Sequence, residues 1–256
     1  MYKEHPVCSK PDDENMPIWR YMDFTKLVSL LEKKALFFIK GDMLSDQFEG
    51  SYPIPNVESR AANLTGLSEE NIKALSRQLC LSKKLVYINS WHMNHCESAA
   101  MWKLYLQSNE GIAIKSTIKR LGECFDKADT KIVSIGKVKY IDYDIDKIPE
   151  SNLLYPFFHK RMSFQHELEL RAAVLHIAPE FITDKIDEKG NGELDLTKEC
   201  KATGLYIAVD LETLVDKIYV SPTAEEWFYE LTKSVVAKYT LEKDVKKSDL
   251  TRDPVY

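Results

Sequence analysis

The apolar residues of this chain fall into short runs of two different periods, and that alternation limits the fold more than any other feature. Ile18-Trp19-Arg20-Tyr21-Met22, Leu36-Phe37-Phe38-Ile39, Leu85 to Trp91, Gly111-Ile112-Ala113-Ile114, Lys137 to Tyr143, Leu205 to Val209 and Ile218-Tyr219-Val220 read as strands. Helical spacing appears after Asp23 and Thr25, either of which can cap, with Leu27, Val28, Leu30 and Leu31 as the apolar stripe. Further helices are expected from Ser68 to about Leu81, over Glu97–Gln107, over Leu153–Met162 and over Ala224–Tyr239. Gly41 to Pro55 reads as a loop. Short strands mixed irregularly with helices predict an α+β fold, with a mixed or antiparallel sheet flanked by helices. Nothing divides the chain by composition. Residues 1–16 are expected to be a mobile lead-in, and 17–256 one globular domain with a polar insertion near 183–203.

Composition narrows the class. Hydrophobic residues make up 44 % and aromatics 11 %, enough to require a core and to exclude a disordered chain. The net charge of −5 disfavours a dedicated nucleic-acid coat, which draws its affinity from phosphate neutralisation. No apolar run reaches the roughly 18 residues of a membrane helix, and residues 1–17 carry no apolar stretch of an export signal. Five widely spaced cysteines without a CxxC pair fit reduced thiols, so a cytoplasmic location is expected.

Glu167-Leu168-Glu169-Leu170-Arg171-Ala172-Ala173-Val174 is the most informative stretch. Read as a strand, it puts Glu167, Glu169 and Arg171 on one face, with the two carboxylates about 7 Å apart. Their repulsion would raise one pKa, which suits acid–base work, while a fixed carboxylate can stabilise an oxocarbenium-like cation. A solvated face with a Glu–Arg pair is the plain alternative, and a helix would make Glu167 and Arg171 an ordinary i,i+4 pair.

Other stretches add to it. Arg20, with Tyr21 beside it at the end of the first strand, can hold a phosphate through its planar fork or form a surface ion pair. Ser90-Trp91-His92 closes the middle strand, where Trp91 and a neutral His92 could sandwich a flat ring or simply pack. His92, His95 and Cys96 lack the second ligand pair of a zinc site. Asp142, Asp144 and Asp146 alternate after a strand and could hold Mg²⁺ with Glu167, Glu169 and Arg171, but Arg171 stands where a nuclease has lysine and an acidic turn is the better reading. Asp187 to Gly192 starts like a calcium loop, but Lys189 and Lys198 occupy ligand positions. Rossmann, P-loop and nucleophile-elbow signatures are missing, which disfavours those readings, and no metal ligand is assigned.

Taken in order, Trp19-Arg20-Tyr21, Asp46-Gln47-Phe48-Glu49-Gly50, Ser90-Trp91-His92-Met93-Asn94, Ala100 to Tyr105 and His166 to Arg171 resemble a large uncharacterised bacterial family found near phage-defence and abortive-infection genes. The ordered Arg20, Ser90 and Glu167-x-Glu169 also resemble the Arg-Ser-Glu class of ADP-ribosyltransferases. That resemblance implies NAD as substrate. Arg20 would hold its diphosphate and Ser90 would shape the nicotinamide pocket, with Tyr21, Trp91, His92 and Arg171 around it. Glu169 would be the catalytic glutamate, and Glu167 would serve the acceptor. Ser90 is followed by Trp91-His92 rather than Thr-Ser, and 70 residues separate Arg20 from Ser90.

The function expected is therefore an NAD-consuming ADP-ribosyltransferase-like protein in bacterial anti-phage defence or growth arrest. A protein or nucleic-acid acceptor and an antitoxin or defence-system partner go with it. The alternatives are a non-enzymatic nucleotide- or partner-binding module, and a metal-dependent nuclease.

Overall fold

Seven residues with alternating faces open the fold. In β1 (Pro17–Asp23) Ile18 and Met22 point to the main core, while Trp19 and Tyr21 point to the opposite face. The computed structural model describes residues 1–9, 11–64, 66, 68–106, 109–125, 131–186 and 192–255. Most of Asp187 to Gly192, the calcium-like stretch, lies outside them.

After β1 come α1 (Phe24–Lys33), β2 (Ala35–Lys40), α2 (Ile54–Asn63) and α3 (Glu69–Leu81). Next are β3 (Val86–Met93), α4 (Ala99–Tyr105), β4 (Gly111–Thr117) and α5 (Ile118–Glu123). The short strands β5 (Val133–Lys137), β6 (Lys139–Ile141) and β7 (His159–Arg161) lead to β8 (Glu169–Leu175). The chain continues through β9 (Ile182–Ile186), β10 (Gly192–Leu194), β11 (Gly204–Ala208) and α6 (Leu211–Leu214). It ends with β12 (Lys217–Val220), α7 (Glu226–Lys238) and β13 (Val245–Lys247). The fold is mixed α+β, as the alternation of periods predicts.

The main sheet runs β11-β2-β3-β1-β4-β12-β13, and β8 adds to β3 with β5 outside it. All its pairings are antiparallel except β12 with β13. Helices α1, α5 and α7 cover one face through Leu27, Leu31, Leu121, Phe228 and Val236. The other face carries Phe157 and Phe158 over Val86, Ile88 and Ala173, and α4 over Trp19, Tyr21 and Ala113. Ser68 caps α3 by accepting the Asn71 N–H at 3.3 Å. Asp23 sits at the start of α1 without a side-chain cap bond. Residues near the start lie along β5: Lys3 donates its N–H to Val133 O and Lys137 donates to Ser9 O, both at 2.9 Å.

Three local readings change. Leu153–Met162 is a 3-10 turn over Tyr155–Phe158 followed by β7, not one helix. Pro156 carries no N–H for a longer ladder, and Phe157 and Phe158 gain more by entering the core. Lys137–Tyr143 is split between β5 and β6, because the Val138 N–H turns to Glu169 O at 2.9 Å. Glu167 precedes the strand that was expected to contain it: β8 begins at Glu169, after Leu168 adopts the left-handed conformation with φ 41°.

The position of β3 matters most. Along one edge it pairs with β8 continuously from Val86 to His92. Its other edge is shared, with β2 at Tyr87 and Ile88 and β1 at His92 and Met93. Between these contacts β1 and β2 diverge, leaving a seam inside the sheet at Asn89–Trp91.

Candidate active site

The seam opens into a cleft of about 450 Å³. Arg20 and Met22 line it from β1, Phe37 and Ile39 from β2, Ser90, Trp91 and His92 from β3, and Glu169 from β8. Leu30 of α1, Tyr105 of α4, Glu167 and Tyr206 complete the walls. Residues from both faces of the sheet meet there because the strands part.

Side chains bridge the seam where backbone pairing stops. Asn89 Nδ2 donates to Phe37 O on β2 at 2.9 Å and accepts Trp91 Nε1–H at 2.7 Å. Arg20 Nη1 donates to Ser90 O at 2.7 Å, its guanidinium 5.9 Å from the Trp91 ring centre. Among the described residues Arg20 has no carboxylate partner within 4.0 Å. Burial lowers its pKa to about 10, with the Tyr105 phenol acting the other way. At neutral pH it remains a cation facing a largely apolar cleft, an arrangement that suits an anionic ligand.

Glu169 is 4 % exposed and held from three sides. Arg171 donates Nε to Oε1 at 2.7 Å and Nη2 to Oε2 at 2.9 Å. Lys160 Nζ stands 3.4 Å from Oε2, and the nearby Ser90 hydroxyl helps to hold the negative charge. Burial pushes the Glu169 pKa up, but Arg171, Lys160 and Ser90 outweigh it and bring it down to about 2. Glu167 behaves oppositely. Burial raises its pKa, Lys160 at 2.7 Å offsets part of the rise, and Glu169 adds to it. The two carboxylates therefore differ in charge affinity although they meet at one lysine.

Two partners escape sequence reading. Glu49, 3 % exposed, comes from the loop stretch Asp46–Gly50, which the family resemblance includes without assigning it a role; it pairs with Arg171 and lies 3.5 Å from Lys160. Lys160 lies in the stretch read as helix. The Glu49 backbone is fixed by Lys83 Nζ, which donates to its carbonyl at 2.8 Å. Gly50 follows with φ +70°, and a Cβ there would fall 2.6 Å from the Phe157 ring.

The remaining site residues separate. Trp91 and His92 point to opposite sides of β3, as adjacent strand residues must, so they do not sandwich one ring. Trp91 packs in the main core, and His92 shares the Glu169 face as its direct cross-strand partner. Tyr21 lines the cleft, but its hydroxyl accepts the Ser98 N–H at 2.8 Å. Arg171 is 1 % exposed, behind Glu169 rather than in the cleft wall. The expected solvated Glu–Arg strand face is thus a buried charge network.

The aspartates are spent locally. Asp142 Oδ1 accepts the Asp144 N–H and Asp146 Oδ2 the Asp142 N–H, both at 2.9 Å. Among the described residues no group of three or more His, Cys, Asp or Glu side chains is placed to hold a metal ion. No helix among them is long and apolar enough to cross a membrane.

No protein-family model matches the chain, and no curated protein matches it. Among solved structures it is similar to Thermus sp. 2.9 DarT in complex with carba-NAD+, with a TM-score of 0.37 and 10 % sequence identity. The match covers 94 % of this chain and 100 % of that one.

Proposed function

We propose that the protein binds NAD in the seam between β1 and β2 and cleaves its nicotinamide–ribose bond, passing ADP-ribose to an acceptor or to water. The observation that carries this reading is the convergence of Arg20, Ser90 and Glu169 on one cleft, with the Ser90 carbonyl accepting from Arg20 and its hydroxyl helping to hold the Glu169 charge. Arg20 is a cation without a carboxylate partner among the described residues and would take the diphosphate. Glu169 stays ionised well below neutral pH and would face the positive charge that builds on the ribose as nicotinamide departs. The apolar walls, Met22, Leu30, Phe37 and Ile39, would take flat rings and exclude water. An activity of this kind drains a cell of NAD, and we place it in bacterial defence or growth arrest, restrained by a partner.

The test is proton NMR of the protein with NAD, following free nicotinamide. Wild type releases it, and Glu169→Gln lowers the rate roughly a hundredfold or more. NAD binding in calorimetry with no nicotinamide from wild type would replace this reading with that of a binding module.

A further inference from the structure

His92 lines the cleft with a chemistry that the NAD-cleaving reading leaves unused. It is 4 % exposed. Its Nδ1 lies 2.6 Å from Glu167 O. A carbonyl oxygen only accepts, so Nδ1 carries the proton and Nε2 holds a bare lone pair. That Nε2 is closed to bulk solvent and has no hydrogen-bond partner among the described residues. Buried acceptors are ordinarily paired, so this atom is suited to a donor that arrives with a ligand.

Resting on the NAD-cleaving reading, we propose that His92 is the general base of this site: its Nε2 takes the proton of the O–H nucleophile that replaces nicotinamide. The C1′–N bond breaks with its electron pair leaving on nicotinamide. The nucleophile's oxygen forms the new C1′–O bond, its proton passes to Nε2, and the imidazolium then returns that proton to solvent. The other candidates are poorer bases. Glu169 is committed to Arg171, Lys160 and Ser90, and Glu167 to Lys160 at 2.7 Å. The register places His92 directly across from Glu169, beside the ribose carbon that Glu169 would face.

The groups around His92 agree with a neutral ring. From the turn before β8 come Glu167, whose carboxylate is tied to Lys160, and His166; from β8 comes Glu169; from β1 comes Tyr21, with its ring centre 6.3 Å away. Burial lowers the His92 pKa below 6.5, the Glu167 carbonyl resists, and His166 adds to the fall. The base form therefore predominates at neutral pH.

The experiment compares wild type with His92→Asn, using NAD as substrate and water as nucleophile. The asparagine amide reproduces the donor to Glu167 O but has nothing in place of Nε2. Nicotinamide release by His92→Asn falls about a hundredfold, with the NAD dissociation constant changed less than about threefold. The wild-type kcat declines as pH drops below 6.5, and this limb disappears in the variant. His92→Gln, which places an amide at the Nε2 position without basicity, is equally slow. A His92→Asn enzyme that keeps its rate, or a wild-type profile with no acid limb at any pH where the protein stays folded, overturns the assignment and leaves the NAD reading standing. No nicotinamide from wild type overturns both. Should neither variant fold, the wild-type profile alone decides.

Discussion

Arg171→Met tests the buried charge network that fixes Glu169. Arg171 gives two bonds to Glu169, pairs with Glu49 and donates Nη1 to Phe157 O at 2.7 Å. Methionine fills similar space but leaves Lys160 alone against Glu49, Glu167 and Glu169. Breaking a buried pair by removing one partner costs about 3–5 kcal/mol. A second route gives a similar figure. The Glu169 pKa of about 2 lies below its ordinary 4.5, and each pH unit is worth about 1.4 kcal/mol, so the carboxylate contributes about 3 kcal/mol. Because the folded pKa is depressed, this stabilisation is complete above pH 4.5 and drains away as pH falls towards 2. Urea unfolding, followed through the buried Trp19, Trp91 and Trp102, should show the variant about 3 kcal/mol weaker at pH 7. Its Tm should fall by about 6–12 °C. The two stability curves should converge between pH 5 and 2. A deficit under about 1 kcal/mol at pH 7, or one unchanged at pH 3, would refute the reasoning.

Three further outcomes follow from single contacts. Trp91→Phe keeps an aromatic ring in the core, though a smaller one, and orphans Asn89 Oδ1, so urea titration should show a loss of at least about 1–3 kcal/mol. Lys34→Gly should stabilise by about 0.5–1 kcal/mol in thermal unfolding, since exposed Lys34 ends α1 in the left-handed conformation at φ 46°. Arg20→Met should weaken NAD binding by about tenfold or more in calorimetry, with little change in kcat.

Much of this was legible in the sequence, and the exceptions have physical causes. Period-2 and helical patterns located β1, α1, β2, β3, β4 and α7, because each buries one face. The same rule failed at Glu167, where the chain turns at Leu168 before alternation begins, a conformation leucine does not announce. It failed again at β7, whose three residues are too short for any period to show. Arg20, Ser90 and Glu169 could be named through their order along the chain, which resembles that of Arg-Ser-Glu ADP-ribosyltransferases. Glu49 and Lys160 could not be named from pattern, since their meaning lies in distant partners: Glu49 is 122 residues from Arg171.

The seam in β3 has a consequence for how this protein tolerates change. An unpaired sheet edge invites another strand, and proteins ordinarily blunt such edges with charge or bulges. Here the edge lies inside the sheet, and Asn89 and Arg20 occupy it. Guarding against a misplaced strand and recognising a ligand therefore fall on the same side chains. A substitution that made the seam easier to zip, such as a β-branched apolar residue at Asn89, would remove the cavity by improving the sheet. The open cleft is maintained by residues that interrupt regular pairing, and the distances along the chain between Arg20, Ser90 and Glu169 can drift freely so long as those interruptions persist.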